Sequence, residues 1–118
     1  MKKVLIVDDA AFVRMRYARS LQAAGFVTEE ASNGAEAVNK YKQDKPDGVL
    51  LDINMPVMNG LLTLHEIMNV DPDARVAMVT CIGSQQIVLT ALKTGARDFV
   101  TKPMDDDGLL NTVEKLLA

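Results

Sequence analysis

The chain has 118 residues, of which 48% are apolar and 25% charged, with a formal net charge of −3 and a single cysteine. This is one ordinary domain, large enough to bury roughly two-thirds of the surface that its unfolded chain exposes. Lone Cys81 excludes an internal disulfide and a four-cysteine zinc site and fits a reducing compartment. The acidic balance argues against a nucleic-acid partner, since phosphates are bound mainly by Lys and Arg.

The first element expected is a strand over residues 3–7. Val4, Leu5, Ile6 and Val7 are continuous rather than alternating, as in a parallel strand covered on both faces. The run stops at Asp8 and Asp9, too soon for a signal peptide or a membrane span. A cytoplasmic protein without membrane insertion is therefore expected. Val13, Tyr17, Leu21 and Ala24 then recur at helical spacing, with Gly25 placed to end the helix. A second strand over 27–30 carries Thr28, Glu29 and Glu30, which suits a sheet edge. Residues 33–43 predict a second helix with Ala37, Val38 and Tyr41 inward. A continuous apolar strand follows over 48–51, then a helix over 61–69 with Pro72 beyond its end. Residues 76–79 form the fourth strand and residues 84–94 the fourth helix, stopped by Gly95. In that helix Val88, Leu89 and Leu92 are expected to share the buried side, leaving Ile87 and Ala91 nearer solvent. The fifth strand is expected over 98–100 and the fifth helix over 105–117. Asp105, Asp106 and Asp107 open that helix where its dipole favours negative charge. Leu109, Leu110, Val113, Leu116 and Leu117 supply its apolar stripe.

Five alternations of strand and helix predict an α/β fold, a doubly wound five-stranded parallel sheet with five helices. No linker, repeat or low-complexity segment divides it, so one domain over residues 1–118 is expected, acting without an attached output domain. Ligands of such folds sit at the carboxyl ends of the strands. The residues at those ends are Asp8 and Asp9, Asp52, Thr80, and Lys102 followed by Pro103. Three crowded carboxylates repel one another unless a cation neutralises them. Mg²⁺ suits the role, because it takes one or two carboxylates, waters and phosphate oxygens. Asp9 is the candidate direct ligand, with Asp8 acting through water, Asp52 as ligand and nucleophile, and the Asn54 carbonyl as a further ligand. Phosphoryl transfer needs positioning and charge stabilisation more than covalent chemistry. Lys102 and the Thr80 hydroxyl are suited to supply it.

Taken together, Val7-Asp8-Asp9, Leu51-Asp52-Ile53-Asn54-Met55-Pro56 with Asn59-Gly60, Val79-Thr80 and Val100-Thr101-Lys102-Pro103 resemble the receiver domains of response regulators. The order and spacing fit over essentially the whole chain, and the length is similar to that of the stand-alone, CheY-like chemotaxis members. The resemblance implies a flavodoxin-like sheet of order 2-1-3-4-5. It also implies a two-component phosphorelay in which a histidine kinase donates a phosphoryl group to Asp52, with Mg²⁺ held at Asp8 and Asp9 and the phosphoryl group bound by Thr80 and Lys102. Phe99 takes the place of the family's switch aromatic, and the Lys102–Pro103 bond is expected to be cis. The downstream partner is expected on the face of helix four, strand five and helix five, with the chain a monomer. Catalysis would extend only to its own phosphorylation and dephosphorylation.

Other readings remain beside this one. A degenerate receiver would bind partners without phosphorylation, but would be expected to lack an acidic residue, the nucleophile or the lysine. An aspartyl-phosphate phosphatase needs an acid two residues after its nucleophile, where this chain has Asn54. His65 reads as a solvated helix residue and Asp105–Asp107 as a helix start. Cys81 stands where the family usually has a smaller residue, and is either a buried, inert thiol or one that narrows access to the site.

Overall fold

A computed structural model describes residues 1–55, 58–81 and 84–118. The elements in chain order are β1 (Lys3–Val7), α1 (Ala11–Ala23), β2 (Val27–Ala31), α2 (Gly34–Asp44), β3 (Gly48–Leu51), α3 (Gly60–Val70), β4 (Val76–Thr80), α4 (Gln85–Thr94), β5 (Asp98–Thr101) and α5 (Asp106–Leu117). The five strands form one parallel sheet in the order β2-β1-β3-β4-β5. The polar strand β2 lies at an edge, as expected.

The central strands are continuous in sequence because both their faces are covered. Val4, Ile6, Leu50, Ala77 and Val79 point to one side, where Tyr17, Ala18 and Leu21 of α1 meet Leu109, Val113 and Leu116 of α5. Leu5, Val7, Val49, Leu51, Val76 and Met78 point to the other, beneath Ala37, Val38 and Tyr41 of α2, Leu64 and Ile67 of α3, and Ala91 of α4. Two cores therefore clamp one sheet, and the strand ends are held by neighbours on four sides.

Local chemistry sets the helix boundaries. Asn33, Asn59, Ser84 and Asp105 each accept a hydrogen bond from a backbone amide three residues on, at 2.7–3.2 Å, so α2 to α5 all begin at a side-chain cap. Glu36 reaches back to the Ser32 amide at 3.0 Å and closes the start of α2 reciprocally. Gly25, at φ +96°, turns α1 into β2. The triple aspartate is a helix start, with Asp105 as the cap and Asp106 and Asp107 in the first turn.

Three expectations about helix faces need correction. In α4 the inward residues are Ala91, fully buried, and Ile87, packed on the core, whereas Leu89 and Leu92 are 49% and 44% exposed. The small Ala91 is the side chain that lets the helix approach the sheet, which turns the bulky leucines outward. In α5 the buried stripe is Leu109, Thr112, Val113 and Leu116, and Leu110 and Leu117 are half-buried. Ala24 lies past the end of α1 and is exposed. Among the described residues, no helix is long and apolar enough to cross a membrane.

The start of α3 meets the end of β3 without space for a side chain. The Gly60 amide donates to the Ile53 carbonyl at 2.8 Å. A Cβ on Gly60 would lie 2.1 Å from the Asp52 carbonyl oxygen and 2.5 Å from the Ile53 Cα, both backbone atoms that cannot rotate away. Gly60→Ala is expected to lose about 1–3 kcal/mol of stability in urea melts, with an unchanged denaturant slope. An unchanged midpoint would show that the loop yields at no cost.

Candidate functional site

Strand register builds the site. Val7 of β1 lies opposite Leu51 of β3, so the next residues, Asp8 and Asp52, emerge side by side at the sheet's carboxyl edge. The Asp52 amide donates to the Val7 carbonyl at 3.0 Å, and the Asp8 amide to the Ala31 carbonyl at 3.2 Å. On the far side, Thr80 lies opposite Thr101, and the Lys102 amide donates to the Thr80 carbonyl at 2.8 Å. The cis Lys102–Pro103 bond follows directly. The lysine side chain thus returns over the strand ends, with its Nζ 2.5 Å from Asp8 Oδ2 and 3.7 Å from Asp52 Oδ2.

Asp8, Asp9 and Asp52 each offer a carboxylate oxygen within 4.8 Å of the others. Asp8 and Asp52 are buried and Asp9 is exposed. Asp8 is tied down at every polar atom near it: Oδ1 accepts from the Ala10 amide at 2.9 Å, Oδ2 accepts from Lys102, and its carbonyl accepts from Arg14 Nη1 at 2.7 Å. Among the described residues, Asp52 Oδ1 receives only a long contact from the Asn54 amide, at 3.4 Å.

The charges do not balance. Burial pushes the Asp52 carboxyl above its ordinary 3.8, and Asp8 and Asp9 push the same way against Lys102 and the Asn54 amide. Burial alone would depress Lys102, but its hydrogen bond to Asp8 and the charges of Asp52 and Asp8 outweigh it and raise the ammonium above its ordinary 10.5. The lysine is therefore fully charged at neutral pH, and one ammonium faces three carboxylates. An arrangement of hard oxygens with excess negative charge, open to solvent on the Asp9 side, fits a small divalent cation of the Mg²⁺ kind. The Asp52 oxygens, held only by longer contacts and beside a fixed ammonium, are placed for attack on an electrophile whose developing negative charge the ammonium would meet.

The remaining candidates fall as follows. Thr80 is wholly buried at the end of β4, and Phe99 is half-buried against the core on β5. Asn54 is exposed on the loop after β3. Pro56, the last residue of that motif, lies outside the described residues. Cys81 is exposed, so the buried-thiol reading is set aside. His65 is an exposed residue of α3 paired at 3.3 Å with Asn69. The structure adds Arg14, whose contact with the site runs through a backbone carbonyl and leaves no motif in the sequence. Tyr17 is a second addition: it is buried beneath the site and its phenol is raised above 10.0, first by burial, with Lys102 opposing and Asp8 and Asp52 adding.

A family model described as the response regulator receiver domain matches residues 4–114. The chemotaxis protein CheY of Thermotoga maritima is 47% identical over 116 residues, covering 98% of this chain and 97% of that relative. The chemotaxis protein CheY of Bacillus subtilis is also 47% identical, with the same coverage of both chains. Among solved structures, the CheY of a Borrelia burgdorferi CheX–CheY–BeF3–Mg complex superposes with a TM-score of 0.95 at 38% identity, covering 99% of this chain and 90% of that one.

The crowding makes a prediction without added metal. Because the folded-state pKa of Asp52 is raised, its contribution to stability is present in full below the unfolded value near 3.8 and is lost as pH rises through the folded value. Asp52→Asn removes that loss. The variant should be more stable than wild type at pH 7 in chelator, by on the order of 1 kcal/mol, and the two should converge in acid. Asp9→Asn should gain less, because Asp9 is exposed. A variant at Asp52 that melts lower than wild type at pH 7 would show that Lys102 already neutralises the cluster.

Proposed function

The chain belongs to the response-regulator receiver family, and from that premise we propose that it is a chemotaxis-type two-component switch whose phosphoacceptor is Asp52. The observation that carries this reading is the meeting of Asp8, Asp9, Asp52 and Lys102 at one edge of the sheet, with the lysine bridging two of the carboxylates. The nucleophile, the acidic pair and the lysine are all present, which opposes a receiver that works without phosphorylation. Residues 1–118 act as one receiver unit in the cytoplasm and as a monomer.

Asp52 attacks the phosphorus of a phosphohistidine on a histidine kinase. The new bond is from an Asp52 Oδ to phosphorus, and the P–N bond breaks with its electron pair returning to the imidazole. Asp9 and Asp52, the Asn54 carbonyl, and Asp8 through water would hold Mg²⁺, which supplies positive charge to the phosphoryl oxygens when bound. Lys102 needs only a small movement to pass from Asp52 to a phosphoryl oxygen on it. The Thr80 hydroxyl, on the next strand end, is the second donor. The protein catalyses only its own phosphorylation and dephosphorylation.

The readout follows from the same connection. Thr80 and Lys102 are bonded through backbone, and Phe99 lies three residues before the lysine on β5. A pull on Lys102 and Thr80 therefore reaches Phe99 and the adjoining α4, whose outward Leu89 and Leu92 offer an apolar contact to a downstream target on the face of α4, β5 and α5. Ile87 is partly buried, packed against the core beneath α4.

Incubation with acetyl phosphate and Mg²⁺ should add one phosphoryl group to the intact mass. Asp52→Asn should abolish the gain, and chelator should suppress it in the wild type. Labelling that persists in Asp52→Asn would move the acceptor elsewhere. Amide hydrogen exchange of the labelled chain should change across residues 85–102 and stay constant in α2; a uniform response, or none in that stretch, would rule out the proposed route of the switch.

A further inference from the structure

The three carboxylates of the site are not held alike. Asp8 is fixed by Lys102 and the Ala10 amide, and Asp52 by its place at the end of a central strand. Asp9 is exposed and, among the described residues, its carboxylate accepts no hydrogen bond. Its position is therefore decided by the backbone that leads to it. That backbone begins with the Asp8–Asp9 peptide, a rigid plane whose carbonyl oxygen and following Cα move together.

One side chain holds this plane. Arg14, on the first turns of α1, donates from Nη1 to the Asp8 carbonyl at 2.7 Å and from Nε to Glu30 Oε1 at 3.2 Å. Its side chain is only 16% exposed, although it lies at the margin of the sheet. Glu30 belongs to β2, and its own carbonyl accepts the Lys40 ammonium from α2. The guanidinium is thus braced from β2 while it grips the turn after β1. A planar fork presents donors from separate nitrogens to two acceptors at fixed geometry, whereas a lysine's donors all diverge from one nitrogen.

We infer that Arg14 is a positioning residue for divalent-cation binding: by clamping the Asp8–Asp9 peptide against Glu30 it fixes the direction of the Asp9 carboxylate. This rests on the reading of Asp8, Asp9 and Asp52 as the Mg²⁺ site. Charge and geometry make opposite demands here. A cation close to the site repels Mg²⁺, so deleting it should tighten binding if charge alone counts. If Arg14 sets the ligand direction, deleting it should loosen binding, as loss of an outer partner of a metal ligand commonly does.

The test is calorimetric titration of Mg²⁺ into the metal-free chain at pH 7. Arg14→Met, which keeps the stem but loses charge and donors, should bind about tenfold more weakly than wild type. Arg14→Lys should fall between the two, because it keeps the charge but presents its donors from a single nitrogen instead of a fixed fork. Tyr41→Phe, which loses the 2.7 Å bond to Asp71 on the opposite face, is the control for lost stability and should bind like wild type. Binding by Arg14→Met as tight as or tighter than wild type overturns the inference, as does equal weakening in Tyr41→Phe. Should Arg14→Met fail to fold, Arg14→Lys decides, and parity with wild type overturns it. A wild-type chain that does not bind Mg²⁺ overturns the underlying reading of the site, and the inference with it.

Discussion

Asp8 and Asp52 stand at adjacent strand ends, buried, with Asp9 close above them and one ammonium between them. Carboxylates so placed repel, and taking them out of water adds to the cost. Lys102 relieves part of this, at 2.5 Å from Asp8 and 3.7 Å from Asp52. It leans towards Asp8, which leaves Asp52 the less satisfied of the two. That asymmetry gives the residues separate tasks. Asp8 anchors the lysine and the turn, while Asp52 would keep oxygens available for the proposed phosphoryl transfer.

The rest of the fold holds this crowding in place. Repulsion at a strand end would splay the ends of an uncovered sheet. Here β1 and β3 are central, covered by α1 and α5 on one face and by α2, α3 and α4 on the other. Gly60 brings α3 directly onto the backbone of Asp52 and Ile53, so the peptide of Asp52 is part of a tight packing contact. At the start of α1 there is no side-chain cap, and the free amide of Ala10 is used by Asp8 instead. The four other helices close their own N-termini with Asn33, Asn59, Ser84 and Asp105.

The α4 helix shows how a surface can be apolar without belonging to the core. Its inward contacts are few, with Ala91 wholly buried and Ile87 alongside. A small, fully buried Ala91 lets the helix sit close to the sheet but buries little area of its own. Leu89 and Leu92 face outward from the helix.

Much of this protein is legible in its sequence because the signals are local. Strand type follows from uninterrupted Val, Leu and Ile runs, helix starts from Asn33, Ser84 and Asp105, and the site from carboxylates, Thr80 and Lys102 each placed just after an apolar run. Periodicity, however, identifies an apolar stripe and not the depth at which a helix docks. For α4 two stripes compete, and the sheet chose the one with the smaller side chain. The pairing of Lys102 with Asp8 rather than Asp52, the openness of Cys81 and the grip of Arg14 on a backbone carbonyl were likewise decided in three dimensions. Each depends on distances between residues far apart in the chain or on main-chain atoms. Every residue has the same main-chain atoms, so no pattern of side-chain types reveals which carbonyl will be held.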